Sequence, residues 1–228
     1  AVIKNSAQLA GWLLGDEEKI VSDDWLQTRR LVAFASFPPG KVGQLQFNAA
    51  TYGEQAFFVP RVMTVESLRV TPRENKRVFP TNASTSVALY LGLKLVANGG
   101  VAIYARMPAS ASKLAKDAVK EVFGRDVSLA PPSACSDAAE LARIVRLYER
   151  NFGSTSYLTK AAKLGIFVHH GETPHGIRLT IEHAMREGHI RFVVCTLTFV
   201  QVFILSILYL LITSPSQGRD AIKARDFH

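Results

Sequence analysis

The sequence is poor in cysteine and lacks several short motifs that mark common catalytic sites. Its two cysteines, Cys135 and Cys195, form no CxxC pair, which argues against a disulfide framework. Gly40 and Lys41 lack the earlier glycine and the following Ser or Thr of a phosphate-binding loop, and no HExxH zinc motif occurs. These absences argue against a dithiol redox site, a self-contained phosphate-binding loop and an HExxH zinc site, and the two separate cysteines favour a reduced, cytoplasmic setting.

The sequence contains enough apolar residues for a hydrophobic core, and it has an excess of positively charged residues. Of its 228 residues, 48% are hydrophobic, which is sufficient for one domain or for one domain with a small appendage. Lysine and arginine together number 27, against 19 aspartates and glutamates. This balance favours an anionic partner, and nucleic acid, a nucleotide and a membrane surface all fit it.

One long apolar run has two interpretations. Residues 192–213 carry no charge, and a run of 22 such residues is long enough for a membrane helix. The alternative is a loop between two buried strands, which we prefer because a family resemblance, given below with its residues, resumes after the run. Basic residues flank both ends of the run, so the charge pattern does not set an orientation for a single-pass membrane anchor.

The first 98 residues predict mainly strands and loops. The alternation of glutamine with Leu45 and Phe47 predicts a strand with one buried face. Phe57–Val59 predict a further strand that stops at Pro60. Apolar residues four positions apart predict a helix over residues 84–97.

From Gly99 onward, strands and helices are predicted to alternate. Such an order is typical of a parallel sheet with helices on both faces, whose ligands lie at the carboxyl ends of the strands. The predicted elements are the strand Val101–Tyr104, a helix capped by Ser110 that runs to about Phe123, a helix from near Ser136, the strand Gly165–His169, a helix capped by Thr173 with Pro174 at its first position and Gly188 at its end, the strand Ile190–Cys195 and a strand over residues 208–213.

Residues 165–198 carry a specific resemblance. They contain a strand, a His-His-Gly turn, a helix that begins with proline and contains Arg178 and Glu182, a glycine stop, and a strand that ends in Cys-Thr-Leu-Thr. This order and spacing resemble the second motor lobe of superfamily-2 helicases of the DEAD/DEAH-related kind. Residues 100–106 resemble the strand and loop that open this lobe, and residues 217–228 resemble the segment before its arginine-rich final motif.

The resemblance implies a fold and a division of the chain. Residues 99–228 are expected to form a truncated RecA-like lobe, with a parallel sheet and helices on both of its faces. Residues 1–98 are expected to form an opening segment and a β-rich insertion. The chain is accordingly expected to be a piece of a longer ATP-dependent nucleic-acid helicase.

The resemblance also implies a function that needs other parts of the protein. In this family, the second lobe grips the backbone of DNA or RNA and closes on ATP and Mg²⁺ held by a first RecA-like lobe of the same protein. The chain alone is expected to bind neither cofactor and to be inactive as an enzyme. An alternative function is that of a non-enzymatic nucleic-acid-binding module, which would bind single strands in a salt-dependent manner.

Site residues follow from this resemblance and from the chemistry of phosphate binding, which uses cations, hydroxyls and backbone N–H groups. The residues expected to contact nucleic acid are Arg106, Ser110, Lys113, His170, Thr196 and Thr198. Those expected near the nucleotide are Gln201 and Arg219. For Ser110 a plain helix cap is an equal alternative, and for the threonines the alternative is simple strand propensity.

No metal ligands are assigned. The five histidines between His169 and His189 have no cysteine partner, so a zinc site is disfavoured. Asp16 and Glu17 imitate a magnesium-binding box, but the chain has no phosphate loop before them. The family also has glycine and asparagine where this sequence has Val202 and Ile204, and these replacements predict impaired coupling to ATP.

Overall fold

The computed structural model describes residues 31–37, 42–47, 55–72, 74–196, 207–214, 216–217 and 220–221. Antiparallel strands come first, and a parallel sheet with helices follows, so the predicted α/β class is confirmed. In chain order the elements are β1 (Ala33–Ser36), β2 (Gly43–Phe47), β3 (Phe57–Met63), β4 (Glu66–Leu68), β5 (Arg77–Phe79), α1 (Ser84–Leu95), β6 (Val101–Tyr104), α2 (Pro108–Asp117), α3 (Ala138–Phe152), α4 (Tyr157–Lys163), β7 (Phe167–His169), α5 (His175–Arg186), β8 (Phe192–Cys195), β9 (Tyr209–Ile212), β10 (Ser216–Gln217) and β11 (Asp220–Ala221).

The four-stranded sheet is parallel throughout and has the order β7-β8-β6-β9. Strand β6 lies in its interior, with Tyr104 opposite Cys195 of β8 on one side and opposite Ile212 of β9 on the other. At the far side of β8, Cys195 faces His169 of β7. Because the strands share one direction and one register, their last residues meet at a single edge, which we call the carboxyl edge.

Helices cover both faces of this sheet. Successive residues of a strand point to opposite faces, and the buried side chains divide in that way. Val101 and Ile103 belong to one apolar cluster with the buried residues of α1 and α2. Ala102, between them, belongs to a second cluster with the buried residues of α3 and α5. This double burial explains why the strands are apolar at every position rather than at alternate ones.

Helix α2 begins earlier than the sequence predicts. Met107 occupies the cap position with an extended backbone, and Pro108 is the first helical residue. Proline suits that position because its fixed φ is helical and its missing N–H would have no intrahelical partner. The prediction that Ser110 caps this helix is therefore wrong, and Ser110 lies within the first turn. The helical segment continues through a π turn to Val122 and a 3₁₀ turn to Arg125.

Helix α5 also differs from the prediction at its start. Pro174 occupies the cap position, so the prediction that Thr173 caps the helix and that Pro174 is its first residue is wrong by one position. The Thr173 hydroxyl binds within the preceding turn instead, where it accepts from the N–H of His170 at 3.4 Å and lies 3.5 Å from the carbonyl of Val168. The end of the helix agrees with the prediction, since Gly188 follows it with a φ of 74°.

Strand β3 runs through Pro60 rather than stopping there. It is an edge strand of the antiparallel sheet β1-β2-β3, where proline lacks an N–H without breaking a ladder on both sides. The register between β2 and β3 shifts between Gly43 and Leu45, and Arg61 has a φ of 58°. Such an irregularity is a β-bulge, which accommodates proline inside a strand.

The apolar run contains strands at both ends. Its first residues form β8 and its last residues form β9, and both strands pair with β6. This agrees with the preferred interpretation of two strands, while residues 197–206 between them are outside the described part of the chain. Among the described helices, none has the length and apolar character needed to cross a membrane.

Arg125 attaches the hairpin β4–β5 to the end of the α2 segment. Its guanidinium binds both carboxylate oxygens of Glu74, at 2.8 and 3.1 Å, and also Glu121 at 3.2 Å. The hydrogen bond from Arg125 and further bonds from Thr71 lower the pKa of Glu74 well below its usual value. The hairpin thereby becomes one wall of a groove of about 690 Å³ alongside α2.

Candidate nucleic-acid interface

The carboxyl edge brings together the segments that follow three strands. The Ala105 N–H donates to the carbonyl of Cys195 at 2.8 Å, and the Thr196 N–H donates to the carbonyl of His169 at 3.2 Å. These bonds continue the sheet ladder by one residue, so Arg106 and Thr196 lie directly beyond the paired strands. Both residues therefore lie on the edge where ligands of parallel sheets bind.

Arg106 and Thr196 differ in their exposure. Arg106 is exposed, whereas Thr196 is half-buried at the end of β8. A guanidinium offers five donors and retains its charge at all relevant pH values, which suits it to phosphate oxygens. A threonine hydroxyl beside it supplies a neutral donor of the kind that accompanies such cations in backbone contacts.

His170 is held by two contacts within the protein. Its ring is buried, with the Nε2 atom 3.2 Å from the Ser112 hydroxyl of α2. Its Nδ1 atom accepts from the backbone N–H of Glu172 at 3.2 Å. Since Nδ1 acts as an acceptor, the proton of the neutral ring is on Nε2 and is donated to Ser112. His170 thus fixes the turn after β7 against the first turns of α2.

Burial keeps His170 neutral. Desolvation holds the pKa of His170 below its usual value, nearby Glu172 opposes this shift, and neighbouring His169 reinforces it. A neutral ring donates one hydrogen bond and carries no charge toward a phosphate. The two hydrogen bonds of the His170 ring thus hold in place the turn after β7, which lies at the carboxyl edge.

His169 makes the corresponding contact on the other face of the sheet. Its Nε2 atom lies 2.8 Å from a carboxylate oxygen of Glu182 on α5. Burial lowers the pKa of His169, while the bond to Glu182 opposes that shift. The sequence suggests a surface pair between Arg178 and Glu182, but Glu182 binds His169 and Arg178 lies 3.5 Å from the Nδ1 atom of His175.

The structure separates Ser110 and Lys113 from the strand ends. Both line the groove between α2, β5 and the start of α1. The Lys113 ammonium also pairs with Asp117 at 3.1 Å, and the lysine side chain is 76% exposed. An ion pair this exposed is weak, so the ammonium remains available to a phosphate. Arg106, His170 and Thr196 therefore form the compact part of the predicted set, and Ser110 and Lys113 lie on the side of α2 that lines the groove.

Other predicted positions lie outside the described residues. Thr198, Gln201 and Arg219 are among them, as are Asp16 and Glu17. Their predicted roles stay predictions. Within the part of the chain that the structure describes, no group of three or more histidine, cysteine or acidic side chains is arranged to hold a metal ion.

Three contributing residues were not predicted from the sequence. Ser112 binds His170, Glu182 binds His169, and the Thr213 hydroxyl donates to the carbonyl of Tyr104 at 2.9 Å. The last bond attaches the segment after β9 to the carboxyl edge. Only Glu182 had a signal in the sequence, since it belongs to the resemblance. Ser112 and Thr213 contact partners 58 and 109 residues away, respectively.

No protein-family model and no curated protein matches this sequence.

Proposed function

We propose that this chain is part of the second, RecA-like motor lobe of a superfamily-2 helicase and that its carboxyl edge contacts the backbone of a nucleic acid. The observation that carries the proposal is the meeting of Arg106, His170 and Thr196 at one edge of a parallel sheet. These residues come from three separate stretches of sequence. Each of them follows a strand of the same parallel sheet, which is why the sequence placed them near one another.

The chemistry of this edge supports phosphate binding. The exposed guanidinium of Arg106 and the hydroxyl of Thr196 are donors of the kind that proteins use on phosphates. The Ser112–His170 bond supports the proposal further, because it fixes the turn after β7 against α2, the helix that follows Arg106. A grip of this kind recognises the backbone and not the bases, so it accepts any sequence.

Two alternative functions, a non-enzymatic binding module and a membrane anchor, make predictions that differ from those of the helicase proposal. A non-enzymatic binding module would use the same edge and would bind single strands equally well with and without ATP. A membrane anchor over residues 192–213 has less support, because both ends of that run pair as strands with β6. The helicase proposal requires a first lobe that holds ATP, so it predicts catalysis only in a longer protein.

Binding of a fluorescein-labelled single-stranded oligonucleotide tests the proposal. Fluorescence anisotropy would be measured for the complete chain, for the variant Arg106→Gln, and for Arg106→Gln combined with Thr196→Val. We expect the double variant to bind about tenfold more weakly or worse, since each charge-assisted hydrogen bond contributes about 1.5–3 kcal/mol. Valine keeps the shape and β-propensity of Thr196, so the fold should be retained.

A matched control removes a positive charge elsewhere. Arg143 lies on α3, is 78% exposed and pairs with Glu140. Arg143→Gln lowers the net charge exactly as Arg106→Gln does, but it leaves the carboxyl edge unchanged. Equal losses in the two arginine variants, or unchanged binding by the double variant, would contradict the assigned interface.

A further inference from the structure

An exposed aromatic ring at the start of α4 lies close to two lysines. Tyr157 is the first residue of α4, and its side chain is 40% exposed. The ammonium of Lys116, on α2, lies 5.1 Å from the centre of its ring, and that of Lys160 lies 5.4 Å from it. Two helices thus present one aromatic ring and two cations at a single surface position.

The start of α4 keeps this ring at the surface. The Ser156 hydroxyl caps the helix by accepting from the N–H of Leu158 at 3.3 Å. Leu158 packs against both apolar clusters, whereas the preceding residue, Tyr157, is exposed. Lys160 lies three positions further along the helix and therefore on the same side as Tyr157.

The two cations at this position are not neutralised by carboxylates. Lys163, also on α4, forms an ion pair with Glu149 at 2.8 Å. By contrast, no carboxylate within the described residues lies within 4.0 Å of the ammonium of Lys116 or Lys160. Both ammonium groups contact the tyrosine ring instead. The surface there combines an exposed aromatic ring with two positive charges.

We propose that Lys116, Tyr157 and Lys160 form a platform for single-stranded nucleic acid, with one base stacked on the tyrosine ring and the ammonium groups on the flanking phosphates. Stacking of a base on an aromatic side chain contributes more than an exposed cation–π contact does, so a base displaces an ammonium from the ring. The displaced ammonium then has a phosphate within reach of its flexible stem. Paired bases expose no such face, which makes the platform specific for single strands.

The platform lies close to the carboxyl edge along α2. Ser112 and Lys116 are four residues apart, so they share one side of the helix and are separated by about 6 Å along its axis. Ser112 contacts the turn after β7, and Lys116 contacts Tyr157. A strand that leaves the edge therefore reaches the platform within one helical turn. This inference shares its partner with the proposed function, yet it depends on different residues.

Variants of Tyr157 in the complete chain test the platform by the same anisotropy measurement. Tyr157→Ala should weaken single-strand binding about tenfold, whereas Tyr157→Phe should stay within about twofold because it keeps the ring. Lys116→Gln combined with Lys160→Gln should also weaken binding. The matched control Lys163→Gln removes a charge from the same helix and should have a smaller effect. Thermal unfolding followed by circular dichroism verifies that each variant is folded.

The outcomes separate this inference from the proposed function. Loss of affinity in Arg106→Gln but not in Tyr157→Ala overturns the platform and leaves the carboxyl edge supported. The reverse result supports the platform and contradicts the edge. Equal losses in Tyr157→Phe and Tyr157→Ala overturn the stacking role. The platform is also overturned if Tyr157 variants change binding to vesicles of anionic phospholipid and not binding to the oligonucleotide.

Discussion

His170 illustrates how a single buried side chain sets the geometry of the candidate interface. Both of its ring nitrogens make hydrogen bonds within the protein, one to Ser112 and one to the N–H of Glu172. If the ring were protonated, Nδ1 would carry a hydrogen and would face the Glu172 N–H as a second donor. Protonation of His170 would therefore break its hydrogen bond with the Glu172 N–H, which belongs to the turn after β7. The lowered pKa of His170 is consistent with this arrangement.

The stability of the chain should consequently fall as pH decreases through and below about 6.5, the usual imidazole value. Burial lowers the pKa of both His169 and His170 in the folded state. The unfolded chain then takes up protons at a higher pH than the folded chain does. The stabilisation that the two neutral rings contribute is complete above their pKa in the unfolded chain. It is lost as the pH falls from that value toward their lower pKa values in the folded chain. Urea unfolding at about pH 7.5 and about pH 5.5 measures this difference.

Two substitutions identify the groups responsible for the pH dependence. His170→Asn removes one of the two buried rings whose pKa is lowered and should reduce the loss of stability between the two pH values. His183 is exposed on α5, so His183→Asn controls for the removal of one imidazole. A pH dependence unchanged in His170→Asn, or reduced equally in His183→Asn, would assign the effect to other groups.

At the level of elements, Gly165 joins α4 to β7 at a point of close backbone contact. Its φ is 78°, and a Cβ atom added there would lie 2.4 Å from the backbone nitrogen of Ser133. That nitrogen donates to the carbonyl of Leu164 at 2.9 Å, so the 3₁₀ turn Pro132–Cys135 packs directly on the start of the strand. Position 165 therefore requires glycine for two reasons, its positive φ and the lack of room for a Cβ atom.

A pair of alanine substitutions separates these two requirements. Gly188 has a similar φ of 74° but open space around it. Gly188→Ala should lower the free energy of unfolding by about 1–2 kcal/mol, the penalty of a left-handed residue. Gly165→Ala should lower it by at least about 1 kcal/mol more, because the backbone of Ser133 cannot move aside easily. Urea unfolding of both variants decides the matter, and equal losses would refute the packing argument.

Most regular elements after Gly99 were predictable because their signals are local, although the short helix α4 was not predicted. Apolar runs bounded by glycine marked β6 and β8, and the apolar stripe around Ile181 marked α5. Helix starts were less predictable because several residues near each start are competent to cap it. At α2 the proline decided the start, and Ser110 therefore became an ordinary first-turn residue.

The site was predictable only in part, for a different reason. Arg106 and Thr196 follow strands, and parallel strands end at one edge, so their proximity follows from topology. The contacts of Ser112 with His170 and of Lys116 with Tyr157 join elements distant in sequence. Neither pair leaves a pattern in the sequence, since the packing of α2 against its neighbours determines which side chains meet.

At the scale of the whole molecule, the excess of positive charge raises a question of specificity. A chain with a net charge of +8 attracts polyanions through its overall field, without any defined site. A defined site instead releases a fixed number of counterions for each phosphate that it contacts. Salt dependence distinguishes the two, because the logarithm of the binding constant falls linearly with the logarithm of salt concentration.

Arg106→Gln should therefore change the slope of this salt dependence as well as the affinity. For single strands, each phosphate contact contributes about 0.7 to the magnitude of the slope, so loss of one contact should reduce it by about that amount. Titrations of the labelled oligonucleotide across a range of salt concentrations give the slope directly. Arg143→Gln has the same net charge and should keep the slope of the unmodified chain. If both variants reduced the slope equally, the attraction would belong to the overall charge and not to the carboxyl edge.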